Sequence, residues 1–134
     1  MKMFEQVSRF HREFGLPAPD PARPPALVDH ATAQFRLALL REELRETEDA
    51  VACGDLPDVA DGLVDLVYVA LGTAIFYNLP WEDLFDEVQR ANMRKCRARR
   101  ARQSRRASTL DVVKPADWRP PDIKKILRRH GWRP

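Results

Sequence analysis

Glu42, Glu43 and Glu46 stand in LLREELRE (39–46), and Asp58, Asp61 and Asp65 stand in DVADGLVD (58–65). Within each stretch the acids fall three and four residues apart, which on a helix gathers them on one side. They also interrupt positions where apolar side chains are expected. A carboxylate placed at a core position is costly unless it is paired or bound to a metal. Oxygen-only donors suit a hard cation such as Mg²⁺ or Mn²⁺. No histidine lies among them, which argues against zinc and against a di-iron Glu-x-x-His bundle. A divalent cation held this way suits phosphate chemistry. The competing reading is that the acids face solvent and pair with Arg36, Arg41 and Arg45 at helical spacings.

Such a site needs two helices at a short turn, and the surrounding sequence provides them. Asp29 or Thr32 caps a helix over 30–52, and Gly54 ends it. Asp55 caps the next, 57–77, with Pro57 in its first turn. At 100° per residue, Phe35, Leu39, Glu42, Glu46 and Asp49 share a stripe, with Glu43 at its edge. Asp58, Asp61, Asp65, Tyr68, Gly72 and Phe76 share the facing one. A turn over about residues 53–56 makes the pair antiparallel. Glu46 then lies about 12 Å before the turn, and Asp61 and Asp65 lie roughly 9–15 Å after it. The acids of both helices therefore reach one level of the hairpin.

The remaining elements are shorter. Phe4, Val7, Phe10 and Phe14 mark an amphipathic helix over 3–14, stopped by Gly15 and the proline-rich stretch 17–25. Residues 80–95 restart as a helix, with Pro80 at its first position and Glu82 and Asp83 in its first turn. A last short helix runs from about 121 to 130. No strand alternation and no internal repeat is visible, so the fold class is all-α. The 134 residues form one domain: a terminal helix and linker (1–29), a catalytic helical core (30–95) and a basic loop with a tail (96–134).

Composition is that of a soluble globular chain, with 44% hydrophobic and 32% charged residues. No run of eighteen apolar residues suggests a membrane span, and the N-terminus has no signal-peptide character. Cys53 and Cys96 lack metal-ligand or redox spacing and read as free thiols in a reducing cytoplasm. The net charge of +3 is unevenly spread: residues 94–106, RKCRARRARQSRR, hold eight basic residues and no acid. That segregation suits acids for metal and bases for a polyanion. It also allows a second reading, a helical nucleic-acid-binding protein. The run lacks interleaved aromatics and no helix-turn-helix signature accompanies it, so nucleic acid ranks behind a nucleotide as partner.

Four segments resemble one family. LLREELRE (39–46) resembles the EExxE element of the MazG-like, all-α nucleoside triphosphate pyrophosphohydrolases, a superfamily that also contains dimeric dUTPases and phosphoribosyl-ATP pyrophosphohydrolases. DVADGLVDLVYVALGTAIFYNLP (58–80) resembles the second element, normally ExxD. EVQRANMRK (87–95) and KPADWRPPDI (114–123) resemble the following helix and the closing tail. The resemblance implies hydrolysis of a (deoxy)nucleoside triphosphate, dUTP or a non-standard dNTP among them, to monophosphate and pyrophosphate with Mg²⁺ or Mn²⁺. It implies a helical hairpin completed to a four-helix bundle in a homodimer or homotetramer. Glu42, Glu43 and Glu46 match the first element residue by residue as metal ligands, with Glu43 or Glu46 also handling the attacking water. The second element departs, because the register ending at Asp65 puts Gly62 where Glu is expected. Asp61 and Asp65 are the favoured ligands and Asp58 the substitute. A chain that kept the bundle and lost the chemistry is the third reading. Asn92 and Lys95 match phosphate- and sugar-contacting positions, on one helical face at a spacing of three, and Lys114 adds a phosphate contact. Phe35, Tyr68, Trp81, Phe85 and Trp118 are candidate stacking groups for the base. Trp118 stands out because it lies in a loop, where a tail folding over a partner subunit would place it. His11, His30 and His130 read as surface or capping residues.

Overall fold

The computed structural model describes residues 2–134. Among them the chain forms five α-helices and one two-stranded pairing: α1 (Met3–Glu13), α2 (His30–Cys53), α3 (Leu56–Phe76), α4 (Trp81–Asn92), β1 (Cys96–Arg97), β2 (Val112–Val113) and α5 (Ile123–Arg129). The fold is all-α. It divides into two compact units, Met1–Leu79 with His130–Pro134, and Pro80–Arg129.

The first unit is built on the α2–α3 hairpin. The Asp29 carboxylate accepts the Thr32 N–H at 2.9 Å and caps α2. Gly54 ends α2 with φ +68, a left-handed conformation that glycine adopts without a Cβ penalty. Asp55 caps α3 by accepting the Asp58 N–H, and Pro57 sits in the first turn, where its missing N–H costs nothing. One glycine sets how closely the helices approach. A Cβ on Gly62 would collide with the Thr47 hydroxyl and meet Thr47 Cα at 3.3 Å.

Leu71, Ala74 and Ile75 are buried on α3, and Val7 of α1 joins the same core. α1 packs on α3. Its last turn is fixed through His11, whose Nδ1 lies 2.6 Å from the Pro17 carbonyl. His11 is 2% exposed, so the expectation of a surface or capping histidine is corrected. The partners that bury it, Pro17, Gly72 and Phe76, are remote from it in helical spacing. The proline-rich stretch is strapped down by Asn78, which takes a left-handed φ of 50. Its amide donates to the carbonyls of Asp20 and Arg23 and accepts the Asp20 N–H. α3 is the one helix among the described residues long and apolar enough, by length and composition, to cross a membrane. Here it carries Asp61 and Asp65 and packs on α2 and α1.

In the second unit α4 packs with α5. Pro80 precedes the helix as its N-cap rather than opening it, and α4 stops at Asn92. The Met93 N–H still reaches Gln89, but the two amides after it make the shorter i to i−3 bonds, Arg94 to Ala91 and Lys95 to Asn92, which unwinds the expected last turn. The chain then enters an antiparallel pairing, Cys96 opposite Val113 and Arg97 opposite Val112, that the sequence did not announce. Two residues are too few to show alternation.

Candidate active site

The carboxylates take their places from the way α2 turns. The buried residues of α2 are Arg36, Thr47 and Ala50. The expected stripe of Phe35, Leu39, Glu42, Glu46 and Asp49 is therefore off by one position: Phe35 is 56% exposed, and Glu42, Glu46 and Asp49 lie on the accessible side. Glu43, placed at the edge of that stripe, is on the seam itself. It is half-buried, as is Asp65 across from it on α3.

Glu43 is the electrostatic centre. Its carboxyl is raised above the ordinary carboxylate range, first by burial, then by the negative charges of Asp65, Glu46, Glu42 and Asp61. Among the described residues, no basic side chain counters the rise at Glu43. Toward the turn a groove of about 490 Å³ continues the acidic surface, lined by Glu46, Asp49, Asp58, Asp61 and Asp65 with Gly62 at its floor. Arg36 does not pair with these acids. Arg36 is 7% exposed, and its guanidinium donates to the Thr73 hydroxyl (3.1 Å) and the Val69 carbonyl (2.9 Å) and lies 4.9 Å from the Phe76 ring centre.

The packing also explains the departure at Gly62. A glutamate cannot occupy that position in this register, because Thr47 stands against it and its hydroxyl is tied to the Glu43 carbonyl at 2.7 Å. The acids nearest on α3 are Asp58, Asp61 and Asp65, one helical turn apart. Uncompensated oxygen donors around a half-buried carboxylate fit a hard divalent cation in chemistry and charge. The side chains line an open groove: among the described residues, no three His, Cys, Asp or Glu side chains converge closely enough to hold an ion.

Tyr68 lies one turn beyond Asp65 and meets Phe10 edge-on, ring centres 5.6 Å apart. The other candidate substrate groups belong to the second unit. Asn92 is the last residue of α4, and Lys95 lies outside the helix, so the two do not share a helical face as expected. Arg94 pairs with Asp117 at 3.6 Å. Trp118 folds onto its own chain rather than needing a partner: its indole N–H donates to the Ala91 carbonyl at 2.7 Å. That bond satisfies one of the orphan carbonyls at the end of α4. The ring gathers two ammonium groups, Lys114 at 4.5 Å and Lys95 at 5.5 Å. Trp81 and Phe85 pack on each other, 6.1 Å between ring centres, with Phe85 exposed. The tail is fastened to α4 by Glu87, which accepts two bonds from Arg90 and the Asp122 N–H and is held down at about 2 by those bonds, Arg90 first.

Residues 7–92, well over half of the chain, match the family described as phosphoribosyl-ATP pyrophosphohydrolase. The matched range contains both acidic segments, α2, α3 and Asn92. No curated protein matches the chain.

Proposed function

This chain belongs to the phosphoribosyl-ATP pyrophosphohydrolase family, a family of pyrophosphohydrolases within the MazG-like superfamily, and on that premise we propose that it hydrolyses a nucleoside triphosphate or a triphosphate-bearing nucleotide to the monophosphate and pyrophosphate. Substrates within this reading are dUTP or a non-standard dNTP, and phosphoribosyl-ATP, the substrate that the family's description names. The observation that carries it is Glu43: a half-buried carboxyl raised by burial and by four neighbouring acids, with no base among the described residues to counter them.

Glu42, Glu43, Glu46, Asp61 and Asp65 would hold Mg²⁺ or Mn²⁺, with Asp58 beside them. The bound ion supplies the positive charge that the triphosphate oxygens and these carboxylates lack. The chain's own work is to position water and receive its proton. A water held by Glu43 or Glu46 attacks the α-phosphorus, and the proton passes to that carboxylate. The oxygen–phosphorus bond forms as the bond to the bridging oxygen breaks, and pyrophosphate leaves with the electron pair. Of the two, Glu43 lies on the seam and is half-buried, whereas Glu46 is exposed, so Glu43 is the better placed to hold that water. Asn92, Lys95 and Lys114 are the phosphate contacts that the resemblance implies; within the second unit Lys95 and Lys114 meet over the Trp118 ring.

Association is part of the proposal. α3 leaves Leu63, Val64 and Val67 exposed, and α2 leaves Phe35 and Leu44 exposed. Leu63, Val64 and Val67 gather on one side of α3, and an exposed apolar stripe of that kind suits a bundle completed by a second copy, as a homodimer or homotetramer. A reducing cytoplasm suits the free, exposed Cys53 and Cys96.

The test is a substrate panel of dNTPs, NTPs and phosphoribosyl-ATP, with Mg²⁺, Mn²⁺ or chelator, read as pyrophosphate release. One member of the panel should turn over only with metal. Release of inorganic phosphate instead, or turnover that survives in Asp65→Asn and Glu43→Gln, contradicts the assignment. No turnover of any member marks an inactive relative.

A further inference from the structure

The basic run between β1 and β2 plays no part in the reaction described above, yet the fold holds it in order. β1 and β2 close its base, and the Ala98 N–H donates to the Asp111 carbonyl at 2.9 Å. The Gln103 side chain accepts the N–H groups of both Arg99 and Arg100. The Ser104 hydroxyl donates to Asp111 at 2.6 Å, and Arg106 donates to the same carboxylate. Arg97 donates to the Thr109 carbonyl. Ala98 and Ser104 are buried beneath the arm that results.

All of these bonds order the backbone, and few of them neutralise charge. Among the described residues, the side chains of Arg99, Arg100, Arg102 and Arg105 meet no acid, and all four are exposed. Asp111 is committed to Ser104 and Arg106, whose bonds hold it below the ordinary carboxylate range. In the same unit a cleft of about 460 Å³ sets Lys95, Arg105, Arg106 and Lys114 against that single acid. Like charges at this density repel one another, so their assembly on an ordered arm is relieved by a partner that brings several negative charges.

The residue types narrow the partner. Seven of the eight cations at 94–106 are arginines, whose planar fork matches phosphate oxygens two at a time. Residues 97–106 contain no aromatic and no branched aliphatic side chain, so the arginine stretch has nothing to insert into a bilayer or between bases; the arm's large apolar side chains, Leu110, Val112 and Val113, lie outside it, at and before β2. We propose that the 96–113 arm docks the protein on the phosphate backbone of nucleic acid, without reading its sequence, through Arg99, Arg100 and Arg102.

The test is fluorescence anisotropy of the full chain with a labelled 30-base-pair DNA duplex over 50–300 mM salt, beside a single strand of the same length and vesicles with 30% anionic lipid. The expected result is duplex binding whose affinity falls linearly with salt on logarithmic axes, at a slope of about 0.9 for each phosphate neutralised. The triple variant Arg99→Ala, Arg100→Ala, Arg102→Ala should lose at least tenfold in affinity at low salt and lower the slope by up to about 2.7. Arg99→Lys, Arg100→Lys, Arg102→Lys should keep the slope, which separates charge from any disturbance of the arm. Pyrophosphate release should be unchanged in both, so failure here is distinct from failure of the catalytic reading. Absence of duplex binding at 50 mM salt, an unaltered slope in the alanine variant, or equal binding to the vesicles overturns the proposal.

Discussion

Arg36 and Glu43 lie on the same seam of α2, two helical turns apart, and the protein treats them in opposite ways. Arg36 is the more deeply buried, but its guanidinium is met by the Thr73 hydroxyl, the Val69 carbonyl and the face of Phe76. Gly72 makes room for it: a Cβ there would come within 2.8 Å of Arg36 Nη2 and 3.0 Å of His11 Nε2. Glu43 is only half-buried and is surrounded by other carboxylates. The first charge is satisfied by neutral partners and holds the hairpin together. The second is left in want of a positive charge, as expected of a group kept for binding rather than for stability.

The largest effect in this comparison is on turnover. Glu43→Gln removes the proposed base and one proposed metal donor while keeping shape, and pyrophosphate release should fall by about 10²–10⁴-fold. Near-normal release would remove Glu43 from the reaction. Next is Arg36→Ala, which removes the donor to the Thr73 hydroxyl, leaves the Val69 carbonyl with the Thr73 hydroxyl alone of its two side-chain donors, and opens a void. Chemical denaturation should show a loss of about 2–3 kcal/mol. Without metal, Glu43→Gln should move stability the other way, gaining about 0.5–2 kcal/mol as repulsion is relieved. The same sign in both variants would erase the distinction. Gly62→Ala should cost about 1–3 kcal/mol through its collision with Thr47, and a neutral result would mean that the helices can move apart.

The smallest effect is on pH dependence. Burial pulls His11 below the ordinary histidine value, the Arg36 charge adds to this, and the Pro17 carbonyl opposes it. The unfolded chain therefore binds the proton first as pH falls below about 6.5. Stability present above that pH is lost down to the folded value. Glu43, being raised, acts in reverse: its contribution falls as pH rises through the window above the ordinary carboxylate value. Denaturation midpoints between pH 7.5 and 5.5 should drop less in His11→Asn than in the parent. Parallel curves would exclude His11 as the source.

The helix ends were legible because their punctuation is local: Asp29, Gly54 and the Asp55–Pro57 pair act within a turn of where they stand. The face of α2 was not. Placing apolar residues inward put Phe35 on the seam, whereas close approach at Gly62 and Gly72 turned Thr47 and Arg36 inward instead. Two glycines on one apolar helix were the available signal. His11 was illegible for the same reason, its partners being Pro17, Gly72, Arg36 and Phe76 on other elements. The acids themselves were readable from spacing, since Asp61 and Asp65 do lie near Glu43. The rank of Glu43 among them depended on the rotation of α2.

The most direct measurement is a calorimetric titration of Mn²⁺ into the metal-free protein, repeated in buffers of different ionisation heat at a pH just above the ordinary carboxylate range. A carboxyl raised by burial and by neighbouring acids must give up its proton to become a ligand. The parent protein should therefore bind Mn²⁺ with release of protons, and Glu43→Gln should bind more weakly and release fewer. Binding that is absent, or that is identical in the two proteins, contradicts the claim that Glu43 is the centre of a cation site.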